Sequence, residues 1–140
     1  PSYLRLDKSQ NLSFHSKIPN LKPGKWQKII KSKNNKIFLT TGNTIFMGLK
    51  LLKQKKYKDY GVYSLPLWGF KFKQEQKLQL VKFSEVITIE DHFIDAGFGS
   101  WIVESSPINF KSKIINLGLS EKILGKVASQ KTLNRIGGLY

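Results

Sequence analysis

One stretch, residues 85–104, constrains the fold of this chain more than any other. Its first part, Val86–Ile89, is a short run rich in β-branched residues, as is typical of a strand buried on both faces. Residues 90–99 then bring acids, a histidine and glycines, which favour a loop at the strand's carboxyl end. Ser100–Glu104 indicates a helix start. This succession predicts an α/β domain whose ligands or partners gather at the loop.

The loop carries the densest group of ionisable side chains apart from the lysines, namely Glu90, Asp91, His92 and Asp95. A metal site is one interpretation, but consecutive side chains at a strand end point to opposite faces and do not converge. A catalytic pair of Glu90 and His92 is another, because residues i and i+2 of an extended segment share a face. Ser100 is the only candidate nucleophile, and no Gly-x-Ser-x-Gly elbow surrounds it.

We therefore favour a structural interpretation of this loop, with no catalytic residue and no metal ligand. Glu90 or Asp91 is expected to accept hydrogen bonds from backbone amides of the glycine-containing turn, and His92 is expected to face another domain or subunit. The predicted interface loop comprises Glu90, Asp91, His92, Gly97, Gly99 and Ser100.

The remaining hydrophobic patterns predict further strands and helices around this centre. We expect strands at 26–30, 37–41, 60–65 and 113–117, helices at 45–56 and 74–83, and short helical segments at 119–125 and 129–136. In the helix at 74–83, Leu78 and Val81 are expected to form one apolar face that Leu80 flanks. Together these elements predict a three-layer α/β/α domain with a mostly parallel sheet of about five strands.

Charge and composition limit the function classes. The net charge is +15, with 24 basic and 9 acidic residues, but only Arg5 and Arg135 are arginine. Base recognition favours arginine, and the lysines are spread along the sequence, so a nucleic acid partner is not expected. No apolar run is long enough for a membrane span. The absence of cysteine excludes a disulfide framework and leaves the cytoplasm as the expected location.

The central stretch resembles a known family. A strand that ends in Glu90-Asp91-His92 and is followed, after a short gap, by Gly-x-Gly-Ser and a helix is similar to the C-terminal domain of transketolases. The same domain closes 1-deoxy-xylulose-5-phosphate synthases and the β subunits of 2-oxoacid dehydrogenases. Their usual pattern is Gly-Gly-x-Gly-Ser, and Ala96 stands here in place of its first glycine.

The resemblance implies three segments. Residues 1–8 resemble the last strand of a preceding pyrimidine-binding domain, which the family closes with Pro-x-x-x-x-Leu-x-Arg. Residues 9–23 would be a linker, and residues 24–140 a transketolase C-terminal-like domain. The arginine of the family motif helps to hold a sugar phosphate. Lys8 stands at its position, so Lys8, with Arg5 in support, would lie near a substrate phosphate.

The resemblance also implies where the chemistry lies. Transketolase-like enzymes bind thiamine diphosphate and a divalent metal between two earlier domains, and this chain contains no Gly-Asp-Gly metal motif. We therefore expect no cofactor in this chain, with thiamine diphosphate and Mg²⁺ in the parent enzyme, a transferase of two-carbon ketol units between sugar phosphates. The chain alone would be an inactive structural module.

The expected partners are the pyrimidine-binding and diphosphate-binding domains, on the same or a separate chain, within a homodimer. The alternative hypothesis is a free-standing basic domain that binds a polyanion such as RNA, with an affinity that falls steeply as salt is added.

Overall fold

A computed structural model of the protein describes residues 19–139. Its strands are β1 Gln27–Ile30, β2 Lys36–Thr40, β3 Gly61–Ser64, β4 Glu85–Phe93 and β5 Lys113–Leu119. Its α-helices are α1 Thr44–Leu51, α2 Lys73–Leu80, α3 Phe98–Glu104 and α4 Gln130–Ile136, and short 3-10 turns lie at Lys55–Tyr57, Phe70–Phe72 and Glu121–Ile123. The strand predicted within residues 1–8 and most of the linker predicted at 9–23 lie outside the described residues.

The five strands form one sheet in the order β1-β3-β2-β4-β5. Strands β3, β2, β4 and β5 are parallel, while β1 lies antiparallel to β3 at one edge. In the centre, Ile37 of β2 pairs with Gly61 of β3 on one side and with Val86 of β4 on the other. The predicted fold class, a mostly parallel five-stranded α/β sheet, is confirmed.

Alternating side chains of the central strands fill two cores, one on each face of the sheet, because successive residues of a strand point in opposite directions. Phe38, Val62, Ile87 and Ile89 pack with α1 on one face, where Leu119 and Leu139 also lie. On the other face, the buried apolar residues come from β2, β4, α2, α3 and the residue that follows β3: Ile37, Leu39, Leu65, Leu80, Val86, Phe98, Trp101 and Ile102. The central strands are therefore apolar on both faces, as a parallel sheet between helices requires.

Helix α2 buries a different face from the one that its apolar residues predict. Leu78 is 71% exposed and Val81 is 59% exposed, whereas Leu80 and Gln76 are fully buried. Gln76 is held in the interior by hydrogen bonds from its amide nitrogen to the carbonyl oxygens of Gly24 and Phe72, at 3.0 and 2.7 Å. This polar anchor, and not apolar periodicity, selects the buried face, so the predicted Leu78–Val81 face was wrong.

Several boundaries also differ from the predicted ones. Strand β4 continues to Phe93, which pairs with Leu119 after an irregularity in the register, so the polar Glu90–His92 segment belongs to the strand and not to the loop. Strand β5 continues two residues beyond its predicted end, to Leu119, so Gly118 lies inside it. Helix α1 ends at Leu51, ahead of a 3-10 turn at Lys55–Tyr57.

The topology gives the sheet two distinct ends, because the amino ends of all parallel strands lie together at one end and their carboxyl ends at the other. We call these ends the amino edge and the carboxyl edge. The β4–α3 loop lies at the carboxyl edge. None of the helices in residues 19–139 has the length and apolar character that crossing a bilayer would require.

Candidate functional site at the carboxyl end of β4

The site is built around Glu90, a fully buried carboxylate on β4. Glu90 follows Val86 and Thr88 on the face of β4 that is covered by α3, because alternate residues of a strand share a face. Its Oε2 atom accepts a hydrogen bond from the Gly99 amide at 3.2 Å. The first amides of a helix have no partner within the helix, and Gly97 at the N-cap offers no side chain, so Glu90 supplies an acceptor from the strand. The prediction that an acid of this stretch holds the glycine turn is confirmed for Glu90.

The buried environment of Glu90 disfavours its charged form. Burial raises its pKa, and the opposing effects of the Gly99 amide, the nearby His92 and the Phe98 amide do not fully offset that rise. Its second oxygen, Oε1, is buried and has no hydrogen-bond partner within the described residues. Burial of a carboxylate oxygen without a hydrogen-bond partner is costly for the charged form, in agreement with the raised pKa.

His92 lies beside this carboxylate, two residues further along the strand. Its Nε2 is 3.5 Å from Glu90 Oε2, and its Nδ1 is 2.9 Å from the Phe93 carbonyl oxygen. Because a carbonyl oxygen can only accept, Nδ1 carries the proton of that contact. A hydrogen bond between Nε2 and Oε2 then needs a proton on either the carboxyl group or the imidazole. The His92 side chain is half exposed, and the pair therefore reaches the surface.

Three glycines lie in close contact with Glu90 and its neighbours on β4 and β5. A β-carbon at Gly97 would overlap both the Glu90 carboxylate and the His92 ring. At Gly99 it would lie 2.6 Å from Asn116 Cγ, and at Gly118 it would lie 3.0 Å from Glu90 Cγ. The glycines of the motif are thus required by close approach of the β4 and β5 side chains to the loop backbone.

Ala96 adopts a left-handed backbone conformation, with φ of +53°. Glycine adopts this conformation without steric cost, whereas a β-carbon makes it unfavourable by roughly 1–2 kcal/mol. Ala96 is the position at which the resembling family has glycine. A glycine at this position, as in the family's pattern, would adopt the observed turn without that cost.

The other predicted residues are not brought into one cluster. Asp91 and Asp95 are exposed, and Ser100 donates its hydroxyl hydrogen to the Ile94 carbonyl oxygen at 3.1 Å, which ties the loop to itself. Within residues 19–139, no group of three His, Cys, Asp or Glu side chains is arranged to hold a metal ion. The arrangement can position a loop and hold a proton. Lys8 and Arg5 lie outside the described residues, and their predicted role stays a prediction.

A cavity of about 540 Å³ opens beside the loop, and sequence reasoning missed it. The ends of β4 and β5 form its walls: Phe93, Ile94 and Asp95 on one side, Leu119, Ser120, Glu121 and Leu124 on the other. Phe93, Ile94 and Leu124 are 38%, 40% and 64% exposed, so its rim is apolar and open. The pairing of β4 with β5, which ends in the Phe93–Leu119 pair, brings these segments together, and no local pattern in either segment signals it.

The described residues do not fit thiamine diphosphate with its metal ion. Mg²⁺ needs an octahedral set of oxygen ligands, but Glu90 is already bonded to Gly99 and faces His92, while Asp91 and Asp95 are exposed. The cavity next to them is mainly apolar and has two acids on its wall, which do not suit a diphosphate. No step involving this cofactor is therefore assigned to residues 19–139.

Comparison with known proteins shows the fold. No family model and no curated protein sequence matches the chain. Among solved structures, the chain is similar to one described as "Split gene transketolase, inactive beta4 tetramer", with a TM-score of 0.70 and 16% sequence identity. The match covers 86% of this chain and 40% of that chain, so this chain corresponds to less than half of its neighbour's length. The chain therefore has the α/β fold of a transketolase C-terminal-type domain.

Proposed function

We propose that this chain is the C-terminal structural and interaction module of a transketolase-like, thiamine-diphosphate-dependent enzyme. That enzyme would transfer two-carbon ketol units between sugar phosphates. The module would hold neither thiamine diphosphate nor Mg²⁺ itself, and both would bind between the pyrimidine-binding and diphosphate-binding domains. Its contribution would be to shape the mouth of the active site and to support a dimer.

The observation that carries this proposal is the similarity in fold over 86% of the chain to a split-gene transketolase. The resemblance at Glu90-Asp91-His92 and Gly-x-Gly-Ser supports it independently, because the structure joins the acidic part of this motif to its glycine part. Glu90 binds the amide of Gly99, and the glycines allow the loop to approach the carboxylate closely.

The surface that would meet the other domains is the carboxyl edge of the sheet. The Glu90–Gly99 bond holds the loop in one conformation, and the half-exposed His92 and exposed Asp91 stand beside it as polar contacts. The cavity rim supplies exposed apolar side chains next to them. An apolar centre with a polar margin is the usual composition of an interface between domains or subunits. In the same proposal, Lys8 and Arg5 contact the substrate phosphate.

The experiment is a ketol-transfer assay on the native assembly, purified through a tag on this chain, in comparison with the 140-residue chain alone. We expect activity that depends on thiamine diphosphate and Mg²⁺ in the assembly and none in the chain alone. Ketol transfer by the chain alone, or an assembly without such activity, would contradict the proposal.

A pair of variants tests the contact surface. Leu124→Lys places a charge on the cavity rim, whereas Val127→Lys places the same charge three residues away on a fully exposed side chain that does not line the cavity. A buried unpaired charge costs several kcal/mol, so we expect Leu124→Lys to weaken assembly about 10-fold or more. Val127→Lys is expected to leave assembly within about twofold of the wild type. Equal effects of the two variants would show that the cavity rim is not part of the interface.

A further inference from the structure

The fold gathers lysines that are dispersed in the sequence onto the amino edge of the sheet, opposite the Glu90 loop. Segments that precede parallel strands must end at this edge, and hydrogen bonds join them there. Lys33 N donates to Asp59 O at 2.9 Å, Ser84 N donates to Asn35 O at 2.8 Å, and Lys113 N donates to Ser84 O at 3.0 Å. We call this surface the basic edge. It contains Lys31, Lys33, Lys36, Lys53, Lys55, Lys56, Lys58, Lys82, Lys111 and Lys113.

The charge on the basic edge is large and weakly compensated. Ten lysines stand there with two carboxylates, Asp59 and Glu85, which gives a formal charge of +8. Glu85 accepts a hydrogen bond from the Tyr60 hydroxyl and lies 4.0 Å from Lys36. The other nine lysines are exposed, and within residues 19–139 none of them forms an ion pair. Like charges held at such density raise the free energy of the isolated domain, and a polyanion would offset that cost.

The lysines follow a line across the sheet. Every strand brings at least one of them to this edge, in the spatial order Lys31 for β1, Lys58 for β3, Lys36 for β2, Lys82 for β4 and Lys111 for β5. Neighbouring strands lie about 4.8 Å apart, so the row extends over roughly 19 Å. A line of single charges matches a linear array of phosphates better than it matches the plane of a membrane surface.

The side chains on the basic edge also limit how a nucleic acid could be recognised. All ten cations are lysines, which bind phosphate as point charges and do not read bases through paired hydrogen bonds as arginine does. Among the described residues, no exposed aromatic ring lies on this edge, because Tyr57 and Phe110 are partly buried. Stacking of bases on aromatic rings is therefore not available.

We propose that the basic edge binds the phosphodiester backbone of a nucleic acid strand without sequence preference. This proposal does not depend on the proposed function, because the basic edge and the carboxyl edge lie at opposite ends of the sheet. Phosphate contacts of this kind supply affinity but carry no sequence information. The expected ligand is a single strand of RNA or DNA that lies across the five strand starts.

The test is fluorescence anisotropy of labelled 20-nucleotide oligouridine, oligoadenine and oligothymidine with the full chain. Contact with about five phosphates predicts binding that weakens roughly 100-fold between 50 and 200 mM salt, since each contact to a single strand contributes a slope of about −0.7. The three oligonucleotides are expected to bind within about threefold of one another. A preference of one base by 10-fold or more would contradict backbone recognition.

Two charge-matched variants identify the surface. The edge variant carries Lys31→Gln, Lys58→Gln, Lys82→Gln, Lys111→Gln and Lys113→Gln. The control variant carries Lys22→Gln, Lys25→Gln, Lys71→Gln, Lys122→Gln and Lys126→Gln, which neutralises five exposed lysines away from the basic edge.

Both variants have the same net charge, and circular dichroism checks that both are folded, as surface substitutions should be. We expect the edge variant to lose about 30-fold or more in affinity and the control variant to lose about threefold or less. Equal losses would show that net charge alone drives binding and would overturn the proposal. Binding to anionic lipid vesicles through the basic edge, without binding to oligonucleotides, would overturn it in favour of a membrane surface.

Discussion

Glu90 on β4 accepts a hydrogen bond from the Gly99 amide in the first turn of α3, at 3.2 Å. This bond fixes the loop between them at both ends, since β4 pairs with β5 up to Phe93 and α3 begins at Phe98. The loop that resembles a transketolase motif is thus held by one buried carboxylate.

The raised pKa of Glu90 should make the stability of the protein depend on pH. Because burial raises the pKa of Glu90 in the folded state, its contribution to stability is fully present at acidic pH and is lost as pH rises through the raised pKa. Glu90→Gln stays neutral and keeps an oxygen that accepts from Gly99. We therefore expect urea unfolding to show that the variant becomes more stable relative to wild type between about pH 5 and about pH 8. A relative stability that falls over this range would contradict a raised pKa.

Truncation of the Glu90 side chain to alanine should lower the stability of the protein. Glu90→Ala leaves the Gly99 amide without its acceptor and opens a space under the loop, so we expect a loss of about 1–3 kcal/mol in the free energy of unfolding. Glu121→Ala is the control, because it removes an exposed carboxylate and should change stability by about 0.5 kcal/mol or less. Urea denaturation of both variants at one fixed pH measures the difference. Equal changes in the two variants would mean that the Glu90–Gly99 bond contributes nothing.

Ala96→Gly should stabilise the protein by about 0.5–1 kcal/mol. The glycine removes the steric cost of the positive φ, and this gain exceeds the added entropy of the unfolded chain. Ala128→Gly is the control: Ala128 does not have a positive φ, so this change should be neutral or destabilising. Thermal unfolding of the two variants tests the prediction, and a lower melting temperature for Ala96→Gly would refute it.

Gly97→Ala should destabilise the loop by about 1–3 kcal/mol, because its β-carbon would overlap the Glu90 carboxylate and the His92 ring. Gly69→Ala provides the comparison, since no atom lies within 4 Å of the β-carbon that it would add. If chemical denaturation finds the two variants equally stable, the close approach of Gly97 to Glu90 does not exist in solution.

Helix α2 offers a test of which face is buried. Leu80→Ala removes a fully buried side chain and should cost about 2–5 kcal/mol. Leu78→Ala in the same helix removes a side chain that is 71% exposed, and it should change stability by about 0.5 kcal/mol or less. A larger loss for Leu78→Ala than for Leu80→Ala would show that Leu78 lies on the buried face, as the sequence pattern predicts.

The parts of the fold that were predicted correctly are those whose residues carry their own pattern. Val86–Ile89 is apolar on both faces, so its place at the centre of a parallel sheet follows from its composition. The strand around Phe38 and the helix that follows it carry similar local patterns. The role of Glu90 was predicted in part: an acid before a glycine turn indicates hydrogen bonds to the amides of that turn, but the sequence left Glu90 and Asp91 as alternatives.

The missed features arise from contacts between distant segments. Gln76 is buried because it binds Gly24, which lies 52 residues away, and no periodicity within α2 can signal that. The cavity depends on the register between Phe93 and Leu119. The basic edge depends on strand order, which brings Lys31, Lys82 and Lys111 together although long segments separate them in the sequence.

We propose that this chain is a module without its own cofactor site in a thiamine-diphosphate-dependent enzyme. The most direct measurement is isothermal titration of thiamine diphosphate with Mg²⁺ into the 140-residue chain, and then into the native assembly that contains it. We predict no binding heat with the chain and saturable binding with the assembly. Saturable binding by the chain alone, or none by the assembly, would contradict this proposal.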